Sequence, residues 1–360
     1  EEENPGKGYR SGFRHETEIA QPGYYAVTLD DDDIRAEVTA TSRVGMHRYT
    51  FSSTENANIL FDLSHGLGDQ VLDSGMEIEG PNEISGYRRS TGWAKDQYLF
   101  FTAQFSKPFD SFSLVKDNDP LKRETASGND IKGAFTFKNL SAPLLVKVAI
   151  SAVDVAGAKK NLNDELKHWN FDQVRHQARE AWNGELSTVA ISSGSDAEKS
   201  VFYTALYHSY IAPNLYADVD GRYRGADLKI HTLPTNEMTY TVFSLWDTFR
   251  ATHPLFTLLK PRLAQELVRT LLVKGQEGKL LPVWELAANE TGTMIGYHYV
   301  PVIVDAYVKG LRDFDVDTAL SAMVESAEQN HLGLDSYKEE GYVAMERENE
   351  SVSKTLEYAY

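Results

Sequence analysis

The 360 residues include no cysteine, which excludes disulfides, thiolate chemistry and a cysteine-ligated zinc. No run approaches the roughly eighteen apolar residues that a membrane-spanning helix needs. Positive charge is scarce: 36 Lys and Arg face 53 Asp and Glu, and the formal net charge of −17 argues against a nucleic-acid partner, whose phosphates would be repelled. Also missing are a Ser/His/Asp motif, a phosphate-cradling glycine loop and a His-Glu-x-x-His zinc pattern. There is neither an initiator methionine nor a signal peptide. The chain opens on Glu1-Glu2-Glu3-Asn4-Pro5 and closes on Leu356–Tyr360 inside a helical pattern, so it reads as an internal piece of a longer polypeptide.

What is present is a soluble, globular composition, 41% hydrophobic and 25% charged, and a length that predicts two domains. Residues 8 to about 155 have the texture of β-structure. Tyr24–Leu29, Ile34–Thr41, His47–Phe51, Ile59–Leu63, Tyr98–Phe105, Ser111–Val115, Gly133–Phe137 and Leu144–Ile150 are short, mostly alternating, and rich in β-branched and aromatic residues. Turn clusters separate them, among them Asp30–Asp33, whose four consecutive carboxylates suit a solvated hairpin turn better than a cation site. Eight or more such strands without an intervening helix pattern predict an antiparallel sandwich or barrel.

From about 154 the period changes to that of helices. Lys159–Glu185 reads as one or two amphipathic linker helices. A capping box, Ser195-Asp196-Ala197-Glu198, opens a further helix with Val201, Phe202, Ala205, Leu206, Ser209 and Tyr210 inward. Asp218-Val219-Asp220-Gly221 is a hairpin turn rather than a calcium loop, because its glycine arrives too early and Arg222 takes the third acidic position. Helices are predicted again over Leu245–Lys260, Leu263–Lys274, Gly296–Lys309, Val316–Asn330 and Ser351–Tyr360, with extended chain over Leu280–Leu286. Recurring helix–loop–helix pairs suit an array of α-hairpins with a site at one mouth.

Two stretches could carry chemistry. In Thr239–Arg250, Trp246, Arg250 and His253 fall on one face of the predicted helix, with Asp247 beside them. An indole next to a carboxylate and a guanidinium suits a sugar: the ring stacks on pyranose C–H groups while Asp247 accepts hydrogen bonds from hydroxyls. The alternative is a core tryptophan with an Asp–Arg pair stapling the first turn. In Leu281–His298, Trp284, Glu285, Asn289, Glu290 and His298 gather ahead of a helix. Glycoside hydrolysis requires two carboxyls flanking the scissile bond. Glu285 and Glu290 fit that by chemistry, but a salt bridge for Glu285, a helix cap for Glu290 and a structural, hydrogen-bonded His298 remain open.

Several blocks resemble glycoside hydrolase family 92, the calcium-dependent exo-acting α-mannosidases. They are His15-Glu16 with Pro22–Tyr25, Thr39–Phe51, Phe202–His208, Phe243–Arg250, Trp284–His298 with Pro301-Val302-Ile303, and Glu350–Tyr360. They occur in family order along essentially the whole chain. Many relatives carry cysteine where this chain has Thr293.

The resemblance implies an N-terminal antiparallel β-sandwich (1–155), a helical linker (156–190) and the first part of an (α/α)6 barrel (191–360). It implies inverting removal of terminal α-mannose from glycans, with a bound calcium, and a secreted, periplasmic or cell-surface location. Asp247 would hold hydroxyls of the terminal mannose with Trp246 beside it. Trp246, Asp247, Arg250, Trp284, Glu285, Asn289, Glu290 and His298 are the candidate substrate-binding residues. The family's acid and base carboxylates are expected downstream of Tyr360, so the chain alone is expected to be inactive. Rival readings are another sandwich-plus-(α/α)6 glycosidase or phosphorylase, and a non-catalytic glycan-binding module that uses exposed aromatics such as Tyr87 and Trp93.

Overall fold

Alternation of side chains along the early strands decides the first half of the molecule. In Ile131–Phe137 every second residue is buried, so Ile131, Gly133, Phe135 and Phe137 face inward while Lys132, Ala134 and Thr136 do not. A computed structural model of the chain, which describes residues 9–360, shows the consequence. Residues 1–8 of the expected first domain lie outside the described residues. Thirteen strands follow one another: β1 (Ile19–Gln21), β2 (Tyr24–Leu29), β3 (Ile34–Ala40), β4 (Val44–Thr50), β5 (Ala57–Asp62), β6 (Gln70–Gly80), β7 (Glu83–Thr91), β8 (Gln97–Phe105), β9 (Ser111–Lys116), β10 (Asp119–Leu121), β11 (Thr125–Gly128), β12 (Ile131–Phe137) and β13 (Leu144–Ser151). They form an antiparallel nine-stranded sheet, β1-β2-β3-β4-β13-β8-β7-β6-β11, and a four-stranded one, β10-β9-β12-β5. Phe101 and Phe105 from the first sheet and Leu114, Phe135 and Phe137 from the second share one core, the expected sandwich.

The long hairpin β6–β7 is absent from the sequence expectation. Its strands carry Gly75 and Gly86 and several charges, which weaken the strand signal, yet pairing across the hairpin and onto β8 secures them. The run Asp30–Asp33 forms the expected turn between β2 and β3.

Helices α1 (Val155–Glu165) and α2 (Phe171–Leu186) cover the other face of the large sheet, where Leu162, Leu166, Phe171 and Val174 meet Tyr24, Val44, Met46 and Ala149. Asp154 caps α1 through the Gly157 amide at 2.6 Å, and Asn170 caps α2 through the Gln173 amide at 3.0 Å. The chain divides into two compact units. The first runs to Gly92, resumes over Tyr98–Ser192 and takes in Asp218–Asp220. The second comprises Trp93–Gln97, Ser193–Ala217 and Gly221–Tyr360.

In the second unit α3 (Asp196–Ser209) starts with the predicted capping box. Short strands follow: β14 (Asn214–Leu215), β15 (Arg222–Arg224), β16 (Ile230–Thr232), β17 (Tyr240–Thr241) and β18 (Phe243–Ser244). Then come α4 (Leu245–Thr248), α5 (Thr252–Leu259) and α6 (Pro261–Gly278). The strands β19 (Trp284–Leu286) and β20 (Asn289–Glu290) lead into α7 (Tyr299–Val308), α8 (Val316–Glu328), α9 (Leu334–Glu340) and α10 (Ser351–Ala359). Leu245, Phe256, Leu267, Leu271, Tyr299 and Ile303 sit in its largest core.

The second unit departs from expectation in two places. Val201 is 72% exposed and Ala205 is also exposed, because periodicity groups residues on a face without saying what covers it. The single helix expected from Leu245 to Lys260 is broken between α4 and α5, where Ala251 leaves helical geometry at φ −128°. Pro254 is the cause: it lacks the N–H that would bond the carbonyl of Arg250 and its ring would clash there, so it is tolerated only in a first turn. Trp246 and His253 therefore stand on different helices.

Candidate functional site

The two stretches singled out by sequence meet in one small sheet of the second unit. Antiparallel strands β18, β19 and β20 pair Ser244 with Trp284, Phe243 with Glu285, and Glu285 with Glu290. Strand β18 leads straight into α4, so Trp246 and Asp247 emerge at the edge of this sheet. Asp247 is exposed and accepts a hydrogen bond from Ser244 Oγ, which leaves most of its acceptor capacity outward. Trp246 is half-buried, its indole 5.4 Å from the imidazole of His298. Arg250 does not staple Asp247. It lies over the rings of Phe249 at 4.8 Å and Tyr360 at 5.2 Å.

A second aromatic pair stands on β19. The buried indole of Trp284 packs against Trp93, ring centroids 4.9 Å apart, while Trp93 itself is 59% exposed. The segment carrying Trp93 is tied down by Asn289: its side-chain carbonyl accepts from the Asp96 amide and its side-chain amide donates to the Asp96 carbonyl, both at 3.0 Å. Asn289 thus faces a peptide, with its remaining donor on the Ala287 carbonyl at 2.8 Å.

The two glutamates are occupied. Glu285 is 1% exposed and accepts from Lys274 Nζ at 2.8 Å, from the Ala288 amide at 2.7 Å, from the Val242 amide at 3.2 Å and from Thr241 Oγ1 at 3.1 Å. Glu290 reaches the surface as a residue, but its carboxylate turns inward onto the amides of Val283 at 2.7 Å, Gly292 at 2.8 Å and Trp284 at 3.3 Å. It caps a turn of its own loop rather than the following helix. Burial of its oxygens pushes this carboxyl above the ordinary carboxylate range, against the pull of the three amides and with a small addition from the Glu285 charge.

His298 is 2% exposed and lies flat on Phe249. Burial pushes its pKa down to about 4, helped by the Arg250 cation and opposed by a hydrogen bond to the backbone of Ile295. It is a neutral imidazole at pH 7. Its Nε2 stands 3.3 Å from Glu357 Oε2 without hydrogen-bond alignment. Gly296, at φ +82°, must be glycine on two counts: a Cβ there would also stand 2.7 Å from the His298 ring. Among the described residues no three His, Asp or Glu side chains gather in a way that could hold a metal ion, so no ligands are assigned to a calcium here.

Sequence reasoning brought Trp246, Asp247, Trp284 and His298 together. It did not find Lys274, Asp96, Phe249 or Tyr360 as their partners, and it gave Trp93 to a sandwich face. No local pattern signals these pairings, since Asn289 and Asp96 are 193 residues apart.

Comparison with known proteins gives a consistent pattern. The models of the glycosyl hydrolase family 92 N-terminal domain and catalytic domain match residues 1–151 and 157–360. A family 92 α-mannosidase from Bacteroides thetaiotaomicron, also solved in complex with mannoimidazole, is 37% identical over 99% of this chain, with a TM-score of 0.95. A family 92 inverting mannosidase from the same organism is 28% identical over 97% of the chain, with a TM-score of 0.89. A protein of Arthroderma benhamiae described as an uncharacterized secreted glycosidase is 23% identical over 95% of the chain. The chain spans about half the length of these relatives, covering 50%, 48% and 45% of them respectively.

Proposed function

Because this chain belongs to glycosyl hydrolase family 92, we propose that it serves the hydrolysis of terminal α-mannosides on glycans and that Trp246, Asp247, Trp93 and Trp284 hold the terminal mannose. One observation carries the site: an exposed carboxylate, Asp247, stands at the mouth of α4 with an indole next to it, while the neighbouring strand β19 carries Trp284, on which the exposed indole of Trp93 packs. Indole faces suit the apolar C–H face of a pyranose, and a carboxylate with free lone pairs accepts from two adjacent hydroxyls at once.

The mannosidase relatives support mannose as the sugar, and the inverting one among them supports cleavage with inversion; exo action is proposed with the family. Inversion uses an acid and a base carboxyl far enough apart to admit a water. Glu285 and Glu290 are not proposed for those roles, since backbone amides and Lys274 already engage their oxygens. A calcium requirement is proposed with the family, with no ligands assigned to it among the described residues. The relative described as secreted supports action outside the cytoplasm.

The test is a titration of this chain with mannoimidazole and with methyl α-mannoside, read by tryptophan fluorescence, beside the α-glucoside as the rival sugar. Asp247→Ala is expected to weaken mannoside binding by about 1.5–3 kcal/mol, roughly ten- to a hundredfold. Equal affinity in parent and variant, or a preference for the glucoside, would refute the assignment.

A further inference from the structure

Two amides point at the Glu285 carboxylate, and both belong to residues in the left-handed region of backbone space. Val242 has φ +68° and Ala288 φ +70°, with Ala287 beside it at φ +47°. A β-branched residue with positive φ is a true outlier, and such conformations persist only when their surroundings impose them. Here the carboxylate imposes them. Thr241 Oγ1 donates to both Glu285 oxygens and accepts from the Ala287 amide at 2.7 Å, so the two strained turns are laced together through one hydroxyl and one carboxylate. Lys274, itself 3% exposed, supplies the compensating charge from α6.

Each strained turn leads to one half of the sugar site. Val242 precedes β18, which pairs with β19 and delivers Trp246 and Asp247 onto α4. Ala288 precedes Asn289, which clamps Asp96 in both directions and so fixes the segment carrying Trp93. Trp284, the ring against which Trp93 rests, is the immediate neighbour of Glu285 on β19. A carboxylate that touches no solvent is thereby the shared fixed point of two groups that do.

We propose that Glu285 is a positioning residue for mannose recognition, setting the placement of Asp247 through the Thr241–Val242 turn and that of Trp93 through Ala288 and Asn289. This rests on the sugar site proposed above. It assigns Glu285 neither proton transfer nor contact with the sugar.

The experiment compares the parent chain with Glu285→Gln, which keeps the shape and loses the charge, and with Thr241→Val, which removes only the lacing hydroxyl. The readouts are mannoside affinity and the exciton-coupled circular dichroism of the two indoles 4.9 Å apart. Trp93→Phe identifies that signal. Glu285→Gln and Thr241→Val are expected to keep their far-ultraviolet spectrum and cooperative unfolding, to lose most of the indole couplet and to bind mannoside at least about tenfold more weakly. Asp247→Ala is expected to lose affinity with its couplet intact. A folded Glu285→Gln that keeps both couplet and affinity overturns the proposal. Should that variant not fold, an unchanged Thr241→Val overturns it in the same way. A parent that binds no mannoside sinks the sugar reading alone, and the couplet still decides whether Glu285 sets the indoles.

Discussion

The imidazole of His298 lies parallel to the ring of Phe249, with centroids 4.1 Å apart and planes 11° from coplanar. An imidazolium in that enclosed position would lose its hydration and face the Arg250 cation, which is why the group stays neutral down to about pH 4. His253, enclosed at the start of α5 against Phe256, is depressed to about 4 by burial as well.

The sign of the pH effect follows. In the unfolded chain both histidines titrate near the ordinary 6.5, whereas in the folded chain they resist protonation until about 4. Between those values the unfolded state binds more protons, so folding stability falls as the pH is lowered through the window. These two groups have no effect on its pH dependence above it. His253→Leu should reduce the slope within the window by one proton, roughly 1.4 kcal/mol per pH unit at most. Urea midpoints across the window would reveal it. An unaltered slope in the variant would show that His253 is hydrated in the folded chain.

Lys274→Met tests the buried pair beside the site. The side chains of Lys274 and Glu285 are 3% and 2% exposed, so removing the cation strands a carboxylate in the interior at a cost of about 3–5 kcal/mol. In many proteins an apolar replacement of both partners restores stability. Here Lys274→Met/Glu285→Leu should remain destabilised, because the amides of Val242 and Ala288 would lose their acceptor. A double variant as stable as the parent in chemical denaturation would show that the turns close without the carboxylate.

How far the sequence discloses this arrangement depends on the range of the interaction. The alternation in Ile131–Phe137 and the capping box at Ser195 are local signals, and both are realised as expected. The hairpin β6–β7 is not legible, because glycines and charges sit in strands whose stability comes from neighbours distant in sequence. The break between α4 and α5 was within reach, since Pro254 marks it. For the site, adjacency put Trp246 with Asp247 and Trp284 with Glu285. The contacts that give those residues their roles, Asn289 to Asp96 and Glu285 to Lys274, arise only when the chain folds back on itself.

Ser195→Ala addresses the start of α3. Ser195 Oγ accepts from the Glu198 amide at 3.3 Å, and the Glu198 carboxylate returns the interaction to the Ser195 amide at 2.7 Å. Losing this reciprocal cap should cost about 0.5–2 kcal/mol and expose the first turn to exchange. Amide hydrogen exchange at residues 196–199 would report it. Exchange there no faster than in the parent would mean that the cap is dispensable.

Gly157→Ala provides a test in which helix propensity and packing oppose each other. Gly157 lies in the first turn of α1, and alanine is favoured over glycine within helices by up to about 1 kcal/mol. Yet a Cβ at this position would stand 2.1 Å from Asp218 Oδ2 and 2.7 Å from Ser151 Oγ. Those two atoms are hydrogen-bonded to each other at 2.7 Å, and the other Asp218 oxygen accepts from Asn161 Nδ2 at 2.8 Å. Asp218 is 3% exposed and its side chain is short, so it has no room to yield without breaking bonds that keep a buried carboxylate satisfied. Packing should therefore win, with Gly157→Ala destabilising the first unit by about 1–3 kcal/mol despite its better helix former. The companion Gly184→Ala, on α2 with open space around its Cβ, should be neutral or stabilising by up to about 1 kcal/mol. Thermal unfolding of the pair separates the two effects. Equal midpoints would mean that Asp218 gives way freely and that the close approach of α1 to Asp218 is not a structural requirement.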